Sequence, residues 1–283
     1  MRNKIIVLFT LLSIFISIKA QEDSVHYNRY VMHSRVFGIG STNILDTYLS
    51  PLQYKGTNIS MLRENMRFTK ILDGKVSVQN MLQVNLSYSE NRAETSSEIA
   101  SMVKWTYAWH YQHELIKDLK LLFGPMADLN GGFVYNAGNS NNPAQAKAYV
   151  NIDASAMLIY KFRLFNQPFT ARYQLNVPLI GLMFSPDYGE SYYQMFSLNN
   201  FSGKNIVFTT PHNQPSCMQL LTLDFPLCNN TIRVGYLMDI EQAKVNGLKS
   251  HMWNHSFMIG LVKNFYILKG KNKVSMPNNV TPY

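Results

Sequence analysis

Three observations predict an all-β chain, an up-and-down antiparallel transmembrane β-barrel of about ten strands. The first is alternation with a period of two, sustained over segments far longer than the five or six residues usual for soluble strands. The second is composition: the 283 residues are 46% hydrophobic and 13% aromatic but only 15% charged, with a mean hydropathy of −0.13. Soluble domains carry roughly 25% charged residues. Charges that are scarce without any excess of hydrophobicity are expected when one strand face meets lipid and the other a polar interior. The third is the absence, after the first twenty residues, of any apolar run near the ~18 residues of a membrane helix. The aromatic content argues against a disordered chain.

From the N-terminus, residues 1–20 combine Arg2 and Lys4, an apolar stretch over 5–18 and Ala20 at the presumed cut, the pattern of a secretory signal peptide. Three of the nine net positive charges, on Arg2, Lys4 and Lys19, leave with it, so the mature chain carries +6. Apart from Lys269, Lys271 and Lys273 that excess is scattered, so no nucleic-acid partner is expected. Residues 21–33 form an N-terminal lead, 34–268 the barrel and 269–283 a polar tail.

Ten alternating segments fall near 34–43, 54–70, 76–90, 99–116, 119–136, 146–164, 168–186, 217–227, 232–244 and 252–268. Over 76–89, Val78, Leu82, Val84, Leu86 and Tyr88 share one parity, and Ser77, Gln79, Gln83, Asn85 and Ser87 the other. Over 99–116, Val103, Trp105, Tyr107, Trp109 and Tyr111 oppose Lys104, Thr106, His110, Gln112 and Glu114. Over 146–164, Val150, Ile152, Ala154, Leu158 and Tyr160 oppose Asn151, Asp153, Ser155, Lys161 and Arg163. In the second segment, Arg63, Asn65 and Arg67 suggest the inward parity, which turns Glu64 toward lipid. Tight links at 71–75, 117–118, 165–167 and 228–231 alternate with longer polar ones at 44–53, 91–98, 137–145, 187–216 and 245–251. That rhythm places turns on one side of a barrel and loops on the other. A strand of about 18 residues tilted ~45° spans roughly 42 Å, against an apolar band of ~25 Å, so the barrel extends beyond the membrane on its loop side. Cys217 and Cys228 bracket one strand, about 36 Å apart at ~3.3 Å per residue, too far for a disulfide. Two free thiols are expected.

A soluble β-sandwich also alternates. Strands of seventeen residues or more, with apolar faces rich in Trp and Tyr, favour the membrane instead. The last segment, 251–268, resembles the closing strand of outer-membrane barrels, with Trp253, Phe257, Ile259, Leu261 and Phe265 on one parity. That resemblance implies recognition by the barrel-insertion machinery, although Lys263 interrupts the parity and the polar tail follows. The stretches 46–56 (DTYLSPLQYKG), 141–149 (NNPAQAKAY) and 184–189 (FSPDYG) are similar to an uncharacterised family of exported gram-negative outer-membrane β-barrel proteins. The family likeness implies the fold, outer-membrane lipid as surroundings and an outer-membrane location. It transfers no catalytic residue.

The inward parity carries Lys104, His110, Glu114, Asp128, Asp153, Arg172 and Asp239, a lumen charge network of nearly balanced sign. Its plain interpretation is ion pairing that fills a narrow barrel, since a wide channel takes sixteen strands or so. Asp128, Asp153 and Asp239 each lie near mid-strand and form a carboxylate cluster if their heights match; such a cluster would share a proton, bind a cation or pair with Lys104. No catalytic residue, metal site or cofactor is assigned. His255 and Ser256 are neighbours and so face opposite sides of a strand, there is no G-x-S-x-G elbow, and no H-E-x-x-H spacing occurs. The long loop 187–216 exposes Tyr188, Tyr192, Tyr193 and Phe196, a surface for a glycan or protein ligand, or else a lid over the barrel mouth. The expected function is non-enzymatic binding or scaffolding at the envelope surface through the loops. A hydrolase and a small-solute transporter are the alternatives.

Overall fold

The computed structural model describes residues 30–197, 203–227, 230–267 and 273–275. The stretch 1–20 expected as a signal peptide, residues 21–29 of the expected lead, Phe201 of the long loop, Cys228 and all of the tail except 273–275 lie outside them.

Among the described residues twelve strands form one sheet: β1 (Tyr30–Asp46), β2 (Ser50–Phe68), β3 (Val76–Asn91), β4 (Ser97–Ile116), β5 (Leu119–Asn136), β6 (Ala144–Leu164), β7 (Gln167–Phe184), β8 (Ile206–Thr209), β9 (Cys217–Leu227), β10 (Asn230–Val245), β11 (Leu248–Ile267) and β12 (Lys273–Ser275). Among the described residues, each barrel strand pairs antiparallel with the next, and β8 and β12 lie off this path, on β7 and β11. β1 also pairs with β11, from Tyr30↔Tyr266 to Asp46↔Ser250, which closes a ten-stranded barrel. The first and last long strands then leave no free edge between them.

The strands run past the predicted loop boundaries. β1 begins at Tyr30, inside the stretch assigned to the lead, and the link expected at 44–53 is a turn at 47–49. The link expected at 245–251 shortens to Asn246-Gly247, both with positive φ, 49° and 72°, the type I′ hairpin that an Asn-Gly pair favours. The polar residues that suggested loops here, such as Lys249 and Ser250, continue the ladder against Lys244 and Ala243. Above an apolar belt a strand no longer needs an apolar face, so its polarity resembles that of a loop. On the opposite side the links are 69–75, 117–118 and 165–166 among the described residues.

In β2 the parity is the reverse of that expected. Leu62, Glu64 and Met66 are buried in the lumen and Arg63 and Arg67 are exposed. Arginines near a strand end can lay their stems along the outer wall and keep their heads in water. They are therefore poor guides to the inward face.

Outside, apolar side chains form a belt. Ile39 pairs with Ile59 and Phe257, Leu129 with Trp105 and Val150, and Ile152 with Ile180, and all of these are exposed. Rings group within the belt: Tyr107 lies 4.7 Å from Trp109, and a stacked row Tyr160–Phe162–Phe169–Phe225 spans three strands at 5.5–5.8 Å spacing. Inside, the lumen is filled rather than open. Met32, Met66, Leu122 and Met157 form an apolar cluster toward the turns, and Leu62, Met81, Leu220 and Met258 a second one. A third, with Met102, Met183, Val245 and Met252, lies toward the loops. Methionine suits irregular space of this kind because its three rotatable bonds adapt to it.

Candidate functional site

Two polar regions lie between the apolar clusters, built from the inward parities of different strands. Nearer the turns, Glu64 of β2 accepts two hydrogen bonds from Arg172 of β7, Nη1 to Oε1 at 2.6 Å and Nη2 to Oε2 at 2.8 Å. Arg233 of β10 donates from Nη1 to Glu64 Oε2 at 2.6 Å. It also grips Asp224 of β9 with Nε and Nη2 at 2.6 and 2.7 Å. Gln79 donates to Glu64 at 2.5 Å and Ser34 lies 3.4 Å from it. Two guanidinium groups thus balance two carboxylates. Planar, bidentate pairing of this kind gives direction as well as charge.

At mid-height and toward the loops the balance is lost. Lys104 of β4 meets Asp239 of β10 at 2.7 Å and Glu241 at 2.8 Å. Gln83 donates to the other Asp239 oxygen at 2.6 Å, and Tyr149 donates to Glu241. Asp128 of β5 accepts from Asn130 at 2.7 Å. Asp153 of β6 is 3% exposed, and its Oδ1 has no hydrogen-bond partner among the described residues. Asp128 pairs with Asn151 across the ladder, so Asp153, two residues along, sits diagonal to it on the same face. All three predicted aspartates line one narrow cleft, together with Lys104 and Glu241. Between β6 and β7 the register shifts at Ile152/Asp153, opposite Pro178, which has no N–H to give the ladder. The β7–β9 ladder stops at Asn176↔Met218, and Asn176, Pro178 and Met218 border the same cleft.

A second small cavity adjoins on the loop side and shares Tyr149, Gln214, Ser216 and Glu241 with the first. Met102, Met183, Val245 and Met252 line it, and a Lys147–Asp46 pair at 2.6 Å also lies there.

The remaining predicted residues fall in three places. His110 is buried and hydrogen-bonds Ser155 at 2.8 Å, while Ser155 donates to Asn176 at 2.7 Å. The other ring nitrogen of His110 has no partner among the described residues, so no third group orients this Ser–His pair. Glu114 is exposed near the end of β4, outside the lumen network assigned to it, because its parity points inward where the strand has already reached the rim. Ser256 bonds Asn58 at 2.8 Å and lies 3.0 Å from Ser60, and His255 bonds Tyr236 at 2.9 Å. They face opposite sides, as expected. Among the described residues no three His, Cys, Asp or Glu side chains are arranged to hold a metal ion. Cys217 is a free thiol.

The long loop divides between lid and exposed surface. Met195 and Asn205 are buried, β8 extends the wall by pairing with β7 from Gly181↔Thr209 to Phe184↔Ile206, and Tyr192 accepts a hydrogen bond from the Ala146 amide at 2.8 Å. Burial pushes the Tyr192 phenol up to about 12, which keeps it protonated in any physiological medium. Tyr192 also meets Tyr48 edge-on at 5.7 Å. Tyr188, Tyr193 and Phe196 are exposed.

Sequence reasoning missed Glu64, the centre of the turn-side network, and the methionine filling. A consistent inward parity through Asn58, Ser60 and Glu64 was the available signal. The local Arg63/Arg67 pair obscured it.

No curated protein matches this sequence. The barrel is similar to the transport unit of the autotransporter AIDA-I from Escherichia coli, at 8% identity and a TM-score of 0.41 over 90% of this chain and 96% of that one. It is also similar to the beta domain of the Bordetella autotransporter BrkA, at 10% identity and 0.40 over 83% and 98%. A third likeness is to Ail, the attachment invasion locus protein of Yersinia pestis, at 9% and 0.31 over 82% and 97%. Likenesses this distant carry no inference about activity. Residues 5–272 match the family described as protein of unknown function (DUF3316), and the chain belongs to it.

Proposed function

We propose that the protein is an exported outer-membrane β-barrel with a closed lumen, acting as a non-enzymatic binding or scaffolding protein from its loop end. The observation that carries this reading is the outer belt, where Phe257 is 73% and Ile39 and Ile259 each 62% exposed. Contiguous apolar surface on this scale is abnormal in water and ordinary in lipid. Export rests on the 1–20 leader, and recognition by the insertion machinery on the alternating aromatics of β11. The Arg172–Glu64–Arg233–Asp224 network and the methionine clusters fill the space that a conducting pore would need. Tyr188, Tyr193 and Phe196 supply an aromatic surface for a glycan or protein ligand. Neither Ser256 nor the His110–Ser155 pair has the geometry of an activated nucleophile.

The test is threefold. Membrane-extracted protein should migrate differently on a gel before and after heating. Planar bilayers holding it should show no conductance steps, and protease added to whole cells should cut within 187–197. Heat-independent migration from a soluble periplasmic fraction would overturn the membrane reading. Discrete conductance steps would return the transport alternative.

A further inference from the structure

We propose that the turn-side rim where β6, β7 and β9 meet binds the headgroup of an anionic phospholipid, with Lys117, Lys161 and Arg163 around its phosphate and the Phe162–Phe169–Phe225 row beneath its chains. The inference rests on the barrel reading above and extends it to the end of the barrel away from the loops.

The wall opens at this corner for a reason written in the sequence. The β7–β9 ladder ends at Thr170↔Asp224, and beyond it stand Pro168 and Pro226, neither with an N–H to continue it. Both prolines line the groove left there, of about 410 Å³, within the range of small-molecule sites, roughly 300–1,000 Å³. The Lys161 amide donates to the Asp118 carbonyl at 2.9 Å, which holds the 117–118 hairpin, and Lys117 with it, against β6. Lys117, Lys161 and Arg163 line the groove, and none of the three takes part in an ion pair among the described residues. Two acids share the lining, Asp118 and Asp224. Arg233 already grips Asp224, which leaves Asp118 against three cations.

Charge and height point to lipid. The turn-side links and strand ends 67–75, 114–120 and 161–169 hold seven Lys or Arg and three Asp or Glu, whereas the loop-side stretches 46–50, 90–98, 136–147, 185–216 and 244–249 hold five and six. A basic surface beside a bilayer attracts anionic headgroups, and arginine meets a phosphate bidentately. The apolar outer wall here runs to the last residues of its strands, Leu164 of β6 at 46% and Leu227 of β9 at 53% exposed. The cations therefore lie level with the zone where lipid chains give way to headgroups. Phe162, Phe169 and Phe225 also line the groove. They stack nearly flat, at 5.5 and 5.8 Å with planes 19° and 24° from parallel. A free phosphate would use the cations and leave this apolar shelf idle; a phospholipid uses both.

The experiment is native mass spectrometry of the full mature barrel, released from detergent holding equimolar dioleoyl phosphatidylglycerol and dioleoyl phosphatidylcholine. Retention of phosphatidylglycerol at least tenfold over phosphatidylcholine supports the proposal. Lys161→Gln combined with Arg163→Gln should bring that ratio near one. Lys244→Gln combined with Lys249→Gln, an equal loss of charge at the loop end, should leave it unmoved. Lys117→Gln, on an exposed hairpin, should lower it about fivefold, and it decides the matter if the turn-side double variant fails to fold. A ratio near one in the unaltered barrel, a ratio unmoved in the folded turn-side variants, or an equal fall in the loop-side control would each overturn the proposal. So would displacement of the lipid by glycerol phosphate at matched concentration, which would show a pocket for free phosphate. A heat-modifiable barrel with no lipid preference defeats this inference alone; a chain that is not heat-modifiable defeats the reading beneath it.

Discussion

Glu64 and Asp153 are both lumen-facing carboxylates, 0% and 3% exposed, on strands of the same barrel, yet their surroundings differ in kind. Glu64 receives hydrogen bonds from two arginines and a glutamine. Asp153 has an oxygen with no partner and faces a cleft. Where opposite charges are matched and planar, the network holds strands together. Where carboxylates outnumber cations, as around Asp153, the excess acid groups are left without partners and tie no strands together. Burial alone does not distinguish the two cases; the count of partners does.

The sharpest way to break this contrast is Glu64→Gln. It keeps the size and removes the charge that Arg172 and Arg233 share, and truncating a buried pair typically costs about 3–5 kcal/mol. Urea unfolding of the refolded barrel should show that loss, or the variant should fail to become heat-modifiable. Lys104→Met comes next, since it strips Asp239 and Glu241 of their cation. A loss of about 3 kcal/mol is expected, partly recovered when Asp239→Asn is added, and a double-mutant cycle reads the coupling directly. Asp153→Asn should behave oppositely to Glu64→Gln, leaving stability unchanged or raising it by up to ~1 kcal/mol. A loss above about 2 kcal/mol there would show that Asp153 is structural and erase the distinction. The smallest effect is expected outside the lumen. Phe165 holds a positive φ of 51° at a hairpin tip, a conformation that Asn tolerates better, so Phe165→Asn should gain less than about 1 kcal/mol.

How much of this was legible in the sequence follows from which distances matter. Alternation is local, so the ten barrel strands, the outward Trp105 and Trp109 and the inward Lys104, Asp128, Asp153 and Asp239 could all be read from parity. Partnership is not local. Lys104 meets Asp239 across 135 positions and Arg233 meets Glu64 across 169, and only the stagger of successive strands decides which inward residues share a height. The second strand misled because its apolar Leu62 and Met66 face a lumen that also holds methionine clusters, while its arginines sit outside. The loop aromatics split for a similar reason. Tyr192 finds Tyr48 and the Ala146 amide, contacts between chain segments that no window of sequence displays, whereas Tyr193 beside it stays exposed.

The turn-side network has a bearing on the order of assembly. Glu64 arrives early in the chain, on β2, but its two arginines belong to β7 and β10, 108 and 169 positions later. Until β10 is in place, a growing sheet would carry an anion and a guanidinium that have no complete set of partners. Partial barrels are therefore penalised in proportion to how much of that layer they have already dried out, and the last hairpin relieves the penalty in one step. Closure should be all-or-none: a chain truncated after residue 229 is expected to yield no heat-modifiable species at all, rather than a smaller, weaker barrel.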